Sequence, residues 1–91
     1  MPASDISDIA IFDFKGLKCP LPVLKARRAL KSVTPGTIIR FLADDPAAPL
    51  DFAHFCESEG HILIAQDDHP AEGHLPASFS FDVQKADSQK A

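Results

Sequence analysis

No apolar run in this sequence approaches the roughly 18 to 20 residues that a membrane span requires; the longest, around Ile38 to Ala43, is short and interrupted by Arg40. Basic residues are also scarce, nine Lys and Arg against thirteen Asp and Glu for a formal net charge of −4. No Lys/Arg stripe interleaved with aromatics is present, so the phosphate neutralisation on which nucleic-acid binding depends is not expected. The N-terminal stretch Met1 to Ser7 contains Asp5 and lacks a basic region, which reads as neither a secretory signal nor a transit peptide and gives the expectation of a cytoplasmic protein. There is no Gly-rich phosphate loop and no Ser/His/Asp order. The two cysteines, Cys19 and Cys56, lie in different surroundings and are read as separate thiols.

Ninety-one residues make one small domain with a simple fold, and 45% apolar with 24% charged residues is an ordinary globular balance. Chain patterning divides it into elements. Ile9 to Phe14 reads as a strand, Ile9, Ile11 and Asp13 on one face and Ala10, Phe12 and Phe14 on the other. Lys15-Gly16 ends it. From Pro20 to about Ser32 the period changes: Val23, Ala26 and Leu30 fall at i, i+3 and i+7, with Pro20 suited to the first turn and Arg28 and Lys31 to the C-terminal end. Thr34-Pro35-Gly36 is turn chemistry, and Thr37 to Ala43 is a strand whose nearly continuous apolarity suggests a central position.

Asp44-Asp45-Pro46 reads as a cap ahead of a second helix, roughly Ala47 to Glu59, with Phe52, Ala53 and Cys56 on its inner stripe and Gly60 ending it. His61 to Gln66 is a third strand and Asp67 to Pro76 a polar loop. Ala77 to Gln84 alternates, Phe79, Phe81 and Val83 inward and Ser78, Ser80, Asp82 and Gln84 outward. Residues 1–8 and 85–91 read as flexible ends of a domain covering 9–84. The expectation is an α/β two-layer sandwich, β-α-β-α-β-β, with a mixed four-stranded sheet and two helices on one face.

Cys19 carries the chemistry. The thiolate is the nucleophile, and a cysteine at a helix N-terminus gains from the positive end of the helix dipole. Pro20 and Pro22 remove two early N–H donors, leaving Leu21 and Val23 to face the sulfur, so a moderate lowering of the thiol pKa is expected. The prolines stiffen the turn, and Lys15, Lys18 and Lys25 add nearby positive charge. Cys56, on a helical stripe, reads as a small core residue. His54, Cys56 and His61 are zinc-type ligands at irregular spacing without a second cysteine pair, and no metal is expected. His69 and His74 read as solvated loop residues, and Arg27 and Arg28 as a solvated face able to dock an acidic partner.

Gly16-Leu17-Lys18-Cys19-Pro20-Leu21-Pro22 resembles the Gly-Leu-x-Cys-Pro-x-Pro mark of the TusA family, also called SirA-like, and Asp44-Asp45-Pro46 and Phe55-Cys56 through Gly60-His61 follow in the family's order. The similarity covers about residues 11 to 84. It implies a sulfur carrier, sulfurtransferase-type rather than a stand-alone enzyme, in which Cys19 is persulfidated by a cysteine desulfurase or rhodanese-type donor. The sulfur then passes to an acceptor protein, toward tRNA thiolation, molybdenum-cofactor synthesis or sulfur oxidation. Gly16, Leu17, Pro20 and Pro22 would support the motif; Lys18, Leu21, Lys25 and Arg28 would form a docking patch. No cofactor is implied, and a monomer is expected. Leu21 departs from the tRNA-thiolating members, which have an acidic residue between the prolines. The alternative function is a non-catalytic regulatory module binding through the first helix.

Overall fold

The computed structural model describes residues 10–86. Residues 1–9 and 87–91, and the flexible ends expected there, lie outside the described residues. Six elements follow in the order β1 (Ala10–Asp13), α1 (Leu21–Lys31), β2 (Ile38–Ala43), α2 (Ala48–Glu59), β3 (Ile62–His69) and β4 (Ser78–Gln84). They form one four-stranded sheet in the order β1-β2-β4-β3, with β1 parallel to β2 and the other pairings antiparallel. The expected mixed α/β sandwich is what folds.

Strand β2 is central because its inward face is apolar throughout: Ile39, Phe41 and Ala43 are buried, opposite Val83, Phe81 and Phe79 of β4. The intervening positions point away from the helices, where Arg40 makes a bidentate pair with Asp82, 2.7 and 2.9 Å, directly across the ladder. Both helices lie on the other face. Helix α1 buries Pro22, Ala26 and Leu30, one turn apart, while Val23 is half-buried. Helix α2 buries Ala48, Phe52, Phe55 and Cys56. Phe52 is the centre of this layer, stacked on Phe81 at 4.4 Å between ring centroids and flanked by Phe41 at 5.7 Å. Ala53, expected inside, is exposed, because the stripe that meets the sheet runs through Phe55 instead.

Several local expectations are corrected. Strand β3 continues to His69, since Gln66, Asp67, Asp68 and His69 pair with β4 even though their side chains are polar and exposed; the backbone ladder, not burial, holds them. His69 is therefore a strand residue, and its Nε2 lies 3.2 Å from the Ser80 hydroxyl, which helps to explain why Ser80 is buried on a face read as outward. Lys85 and Ala86 are not a frayed end. The Lys85 N–H donates to the Thr37 carbonyl, its Nζ to the Val33 carbonyl, and the Ala86 N–H to Nδ1 of His61. No helix among the described residues is long and apolar enough to cross a membrane.

Candidate functional site

Cys19 lies in the loop joining β1 to α1, just ahead of the helix, and is exposed. The loop leaves the sheet at the buried Phe14, turns at Gly16 with φ near +90°, and is pinned back toward the core by the half-buried Leu17. Only glycine takes that φ without strain, which accounts for its place in the motif. Pro22 occupies the first turn of α1 facing the core, whereas Pro20 is the residue before the helix, joined to Cys19 by a cis peptide bond.

The loop is held from the other side by the turn between β2 and α2. Asp44 Oδ1 accepts the Gly16 N–H at 3.0 Å, and Asp45 Oδ2 accepts the Cys19 N–H in a short hydrogen bond. Asp45 Oδ1 also accepts the Ala47 N–H at 3.1 Å. These bonds hold the Asp45 carboxyl below its ordinary value, the Ala47 and Cys19 amides both favouring the anion, with Lys18 adding to the effect. The sequence pattern alone makes the two aspartates a cap for α2. In the structure α2 begins at Ala48 after Ala47, with no side-chain cap, and the pair serves as a clamp on the cysteine loop. The loop and the turn are 26 to 28 residues apart in sequence.

A groove of about 530 Å³ opens beside Cys19 between the two helices. Pro20, Val23, Leu24 and Arg27 form the α1 wall; Leu50, Asp51, His54, Phe55, Ser58 and Glu59 form the α2 wall. Positions 51, 54, 55, 58 and 59 follow the three- and four-residue spacing of a single helix face, a signal present in the sequence but masked by the inward stripe of the same helix. Leu24 at 49% and Leu50 at 74% of full exposure are apolar side chains of the groove lining, and Leu21, 44% exposed next to Pro20, does not line it. Arg27 is exposed as expected and also pairs with Glu59 at 3.6 Å across the groove. Lys18, Lys25 and Arg28 are exposed and do not line it.

Electrostatics at the sulfur reverse the expectation of a lowered thiol pKa. Asp51, which lines the same groove from α2, holds the Cys19 thiol above its ordinary value, chiefly by hydrogen bonding to the protonated form, with slight desolvation and the charges of Asp51 and Asp45 adding to the effect. The helix N-terminus does little to oppose this, because the Leu21 N–H donates to the Lys18 carbonyl at 2.8 Å and both prolines lack a donor. Cys56 is different: buried in α2, its thiol is pushed up to about 11 by desolvation. It faces the core rather than the groove and is absent from the groove lining. His61 accepts from the Ala86 amide, and its ring is held below the ordinary value chiefly by burial. His54 lies in the groove, so His54, Cys56 and His61 do not converge; among the described residues no group of three or more His, Cys, Asp or Glu is placed to hold a metal ion.

Comparison with known proteins agrees with this architecture. The family model described as sulfurtransferase TusA matches residues 10–75. Two proteins of Neisseria meningitidis, one from serogroup A and one from serogroup B, each named as a candidate sulfur carrier, are 48% identical to this chain over 52 residues, covering 57% of it and 70% of each relative. The crystal structure of a SirA-like protein from Desulfitobacterium hafniense has the same fold, with a TM-score of 0.58 at 19% identity over 81% of this chain and 96% of that one. The matched region contains the cysteine loop, both helices and the aspartate clamp, and on that ground the chain belongs to the TusA family of sulfurtransferases.

Proposed function

We propose that this protein is a sulfur carrier that takes up a persulfide sulfur on Cys19 from a cysteine desulfurase or rhodanese-type donor and passes it to an acceptor protein. The observation that carries the reading is the exposure of Cys19 at the mouth of a groove, on a loop clamped by Asp44 and Asp45, while the second thiol is buried. A carrier sulfur must be reachable by two different proteins in turn, and a convex loop beside a shallow groove allows that.

The chemistry needs no cofactor. The Cys19 thiolate attacks the outer sulfur of a donor persulfide, R–S–SH; the new Sγ–S bond forms as the donor S–S bond breaks, and the donor leaves as its thiolate. Release is the same displacement by an acceptor thiolate on Cys19–S–SH. Exposed Leu24 and Leu50 in the groove and exposed Leu21 beside Cys19-Pro20 supply apolar contact for either partner, and Leu21 in place of an acidic residue favours an acceptor other than a tRNA-thiolating one. Such contacts are small and transient, in keeping with a cytoplasmic monomer that meets each partner briefly.

Intact mass spectrometry after incubation with a cysteine desulfurase and cysteine tests the proposal. The expected result is a gain of one sulfur, about 32 Da, in the wild type and in Cys56→Ala, absent in Cys19→Ala. Loading that survives Cys19→Ala but not Cys56→Ala refutes the assignment. If Cys19→Ser leaves the cellular function intact while reversal of Arg27 and Arg28 abolishes it, the protein is a binding module.

A further inference from the structure

Reactive cysteines usually sit in electropositive surroundings that stabilise the thiolate. Here the arrangement is opposite. Cys19 shares its groove with Asp51 of α2, whose carboxyl holds the thiol above its ordinary value, and Asp45 is bound to the Cys19 backbone amide. Of the charged groups around it, Asp45 is neutralised in part by Lys18 and by its two amide donors, and Glu59 by Arg27. His54, the remaining titratable group of the α2 wall, lies one turn beyond Asp51. Among the described residues Asp51 forms no ion pair. A carboxylate without a counter-charge, next to a displacement that moves negative charge on and off sulfur, cannot be neutral to that reaction.

We propose that Asp51, a carboxylate unpaired among the described residues in the groove that Cys19 opens onto, is a charge gate that selects partners bringing a cationic side chain, a lysine or arginine beside their own reactive sulfur, into the groove. The proposal rests on the sulfur-carrier reading and extends it to the choice of partner.

Both half-reactions come under this control. Uptake, Cys19–S⁻ + R–S–SH → Cys19–S–SH + R–S⁻, begins from a thiolate whose population Asp51 reduces. Release returns the negative charge to Cys19 beside the same carboxylate, and a less stable leaving thiolate departs more slowly. A free carrier therefore neither collects sulfur from, nor surrenders it to, a neutral or acidic thiol at full rate. A partner cation at Asp51 removes the penalty in both directions, and no oxidant or reductant enters either step. The groove, about 530 Å³, is large enough for such a side chain, and Asp51 and the Arg27–Glu59 pair all line it. Asp51 thus acts as a positioning and specificity residue rather than as a proton acceptor.

Thiol–disulfide exchange on the full-length protein reads the gate without needing the natural partners. Cationic cystamine, neutral 2-hydroxyethyl disulfide and anionic 3,3′-dithiodipropionate are each reacted near neutral pH, and the mixed disulfide at Cys19 is quantified by mass spectrometry. For unit charges at contact distance in water, Asp51→Asn should raise the thiolate population about threefold to sixfold and, because the more basic thiolate is the better nucleophile, the rate with the neutral disulfide about twofold to threefold. It should also reduce the cystamine-to-dithiodipropionate rate ratio by about the same factor or more. Asp51→Glu should keep most of that selectivity, and the wild-type ratio should shrink at high ionic strength. An Asp51→Asn protein, folded by circular dichroism, with an unchanged ratio and an unchanged neutral rate overturns the gate. Charge selectivity in a chain that takes no sulfur from a desulfurase supports the gate and removes the carrier; loading by desulfurase without selectivity does the reverse.

Discussion

Phe52→Ala is the perturbation through which α2 can be uncoupled from the sheet. Phe52 is fully buried, stacked on Phe81 at 4.4 Å, with Phe41 and Phe55 against its other sides. Truncation removes roughly 100 Å² of buried apolar area beyond the alanine methyl, about 2.5 kcal/mol by area. The lost ring stacking adds about 0.5–1.5 kcal/mol, and a residual cavity adds more, for a total of about 3–5 kcal/mol. A chain of 91 residues has a total stability of about 5–14 kcal/mol, so this single change removes from about a fifth of it to nearly all of it. The expected fall in melting temperature is about 15–30 °C. Because the chain contains no Trp or Tyr, urea unfolding is best followed by far-ultraviolet circular dichroism. The midpoint should drop while the slope stays constant. A loss below about 1.5 kcal/mol at constant slope would refute the placement of Phe52 at the centre of the core.

Iodoacetamide should label Cys19 alone in the native protein, with Cys56 reacting only in step with unfolding, since its thiol is both buried and raised to about 11; equal native rates for the two would contradict the burial. Gly60 ends α2 at φ +83°, and a Cβ there would meet nothing closer than the Ala86 Cβ at 3.9 Å, so Gly60→Ala should cost about 1–2 kcal/mol in urea unfolding from backbone conformation alone. Asp45, its folded-state pKa depressed, contributes stability that is fully present above the ordinary carboxylate value and is lost as pH falls from about 4 through the folded value. Urea midpoints of Asp45→Asn should accordingly fall less than those of the wild type over that acid range; parallel losses would show that the clamp does not favour the anion.

The periods of the apolar residues settled the element order on their own. Val23, Ala26 and Leu30 could serve a helix and not a strand, and Phe79, Phe81 and Val83 could serve a strand and not a helix, because each set shares a face only at its own period. The reactive loop was legible for a similar reason: Gly16 and the prolines flanking Leu21 are residues whose backbone restrictions act locally. What stayed hidden depends on residues brought together from afar. Asp44 and Asp45 look like a helix cap because the neighbouring sequence is a helix, and only the parallel pairing of β1 and β2 sets them against Gly16 and Cys19. The reversal at the sulfur has the same origin. Local sequence places Cys19 at a positive helix end, but Coulomb interactions depend on distance through space, and packing α2 beside α1 brings Asp51 to the thiol from thirty-two positions away.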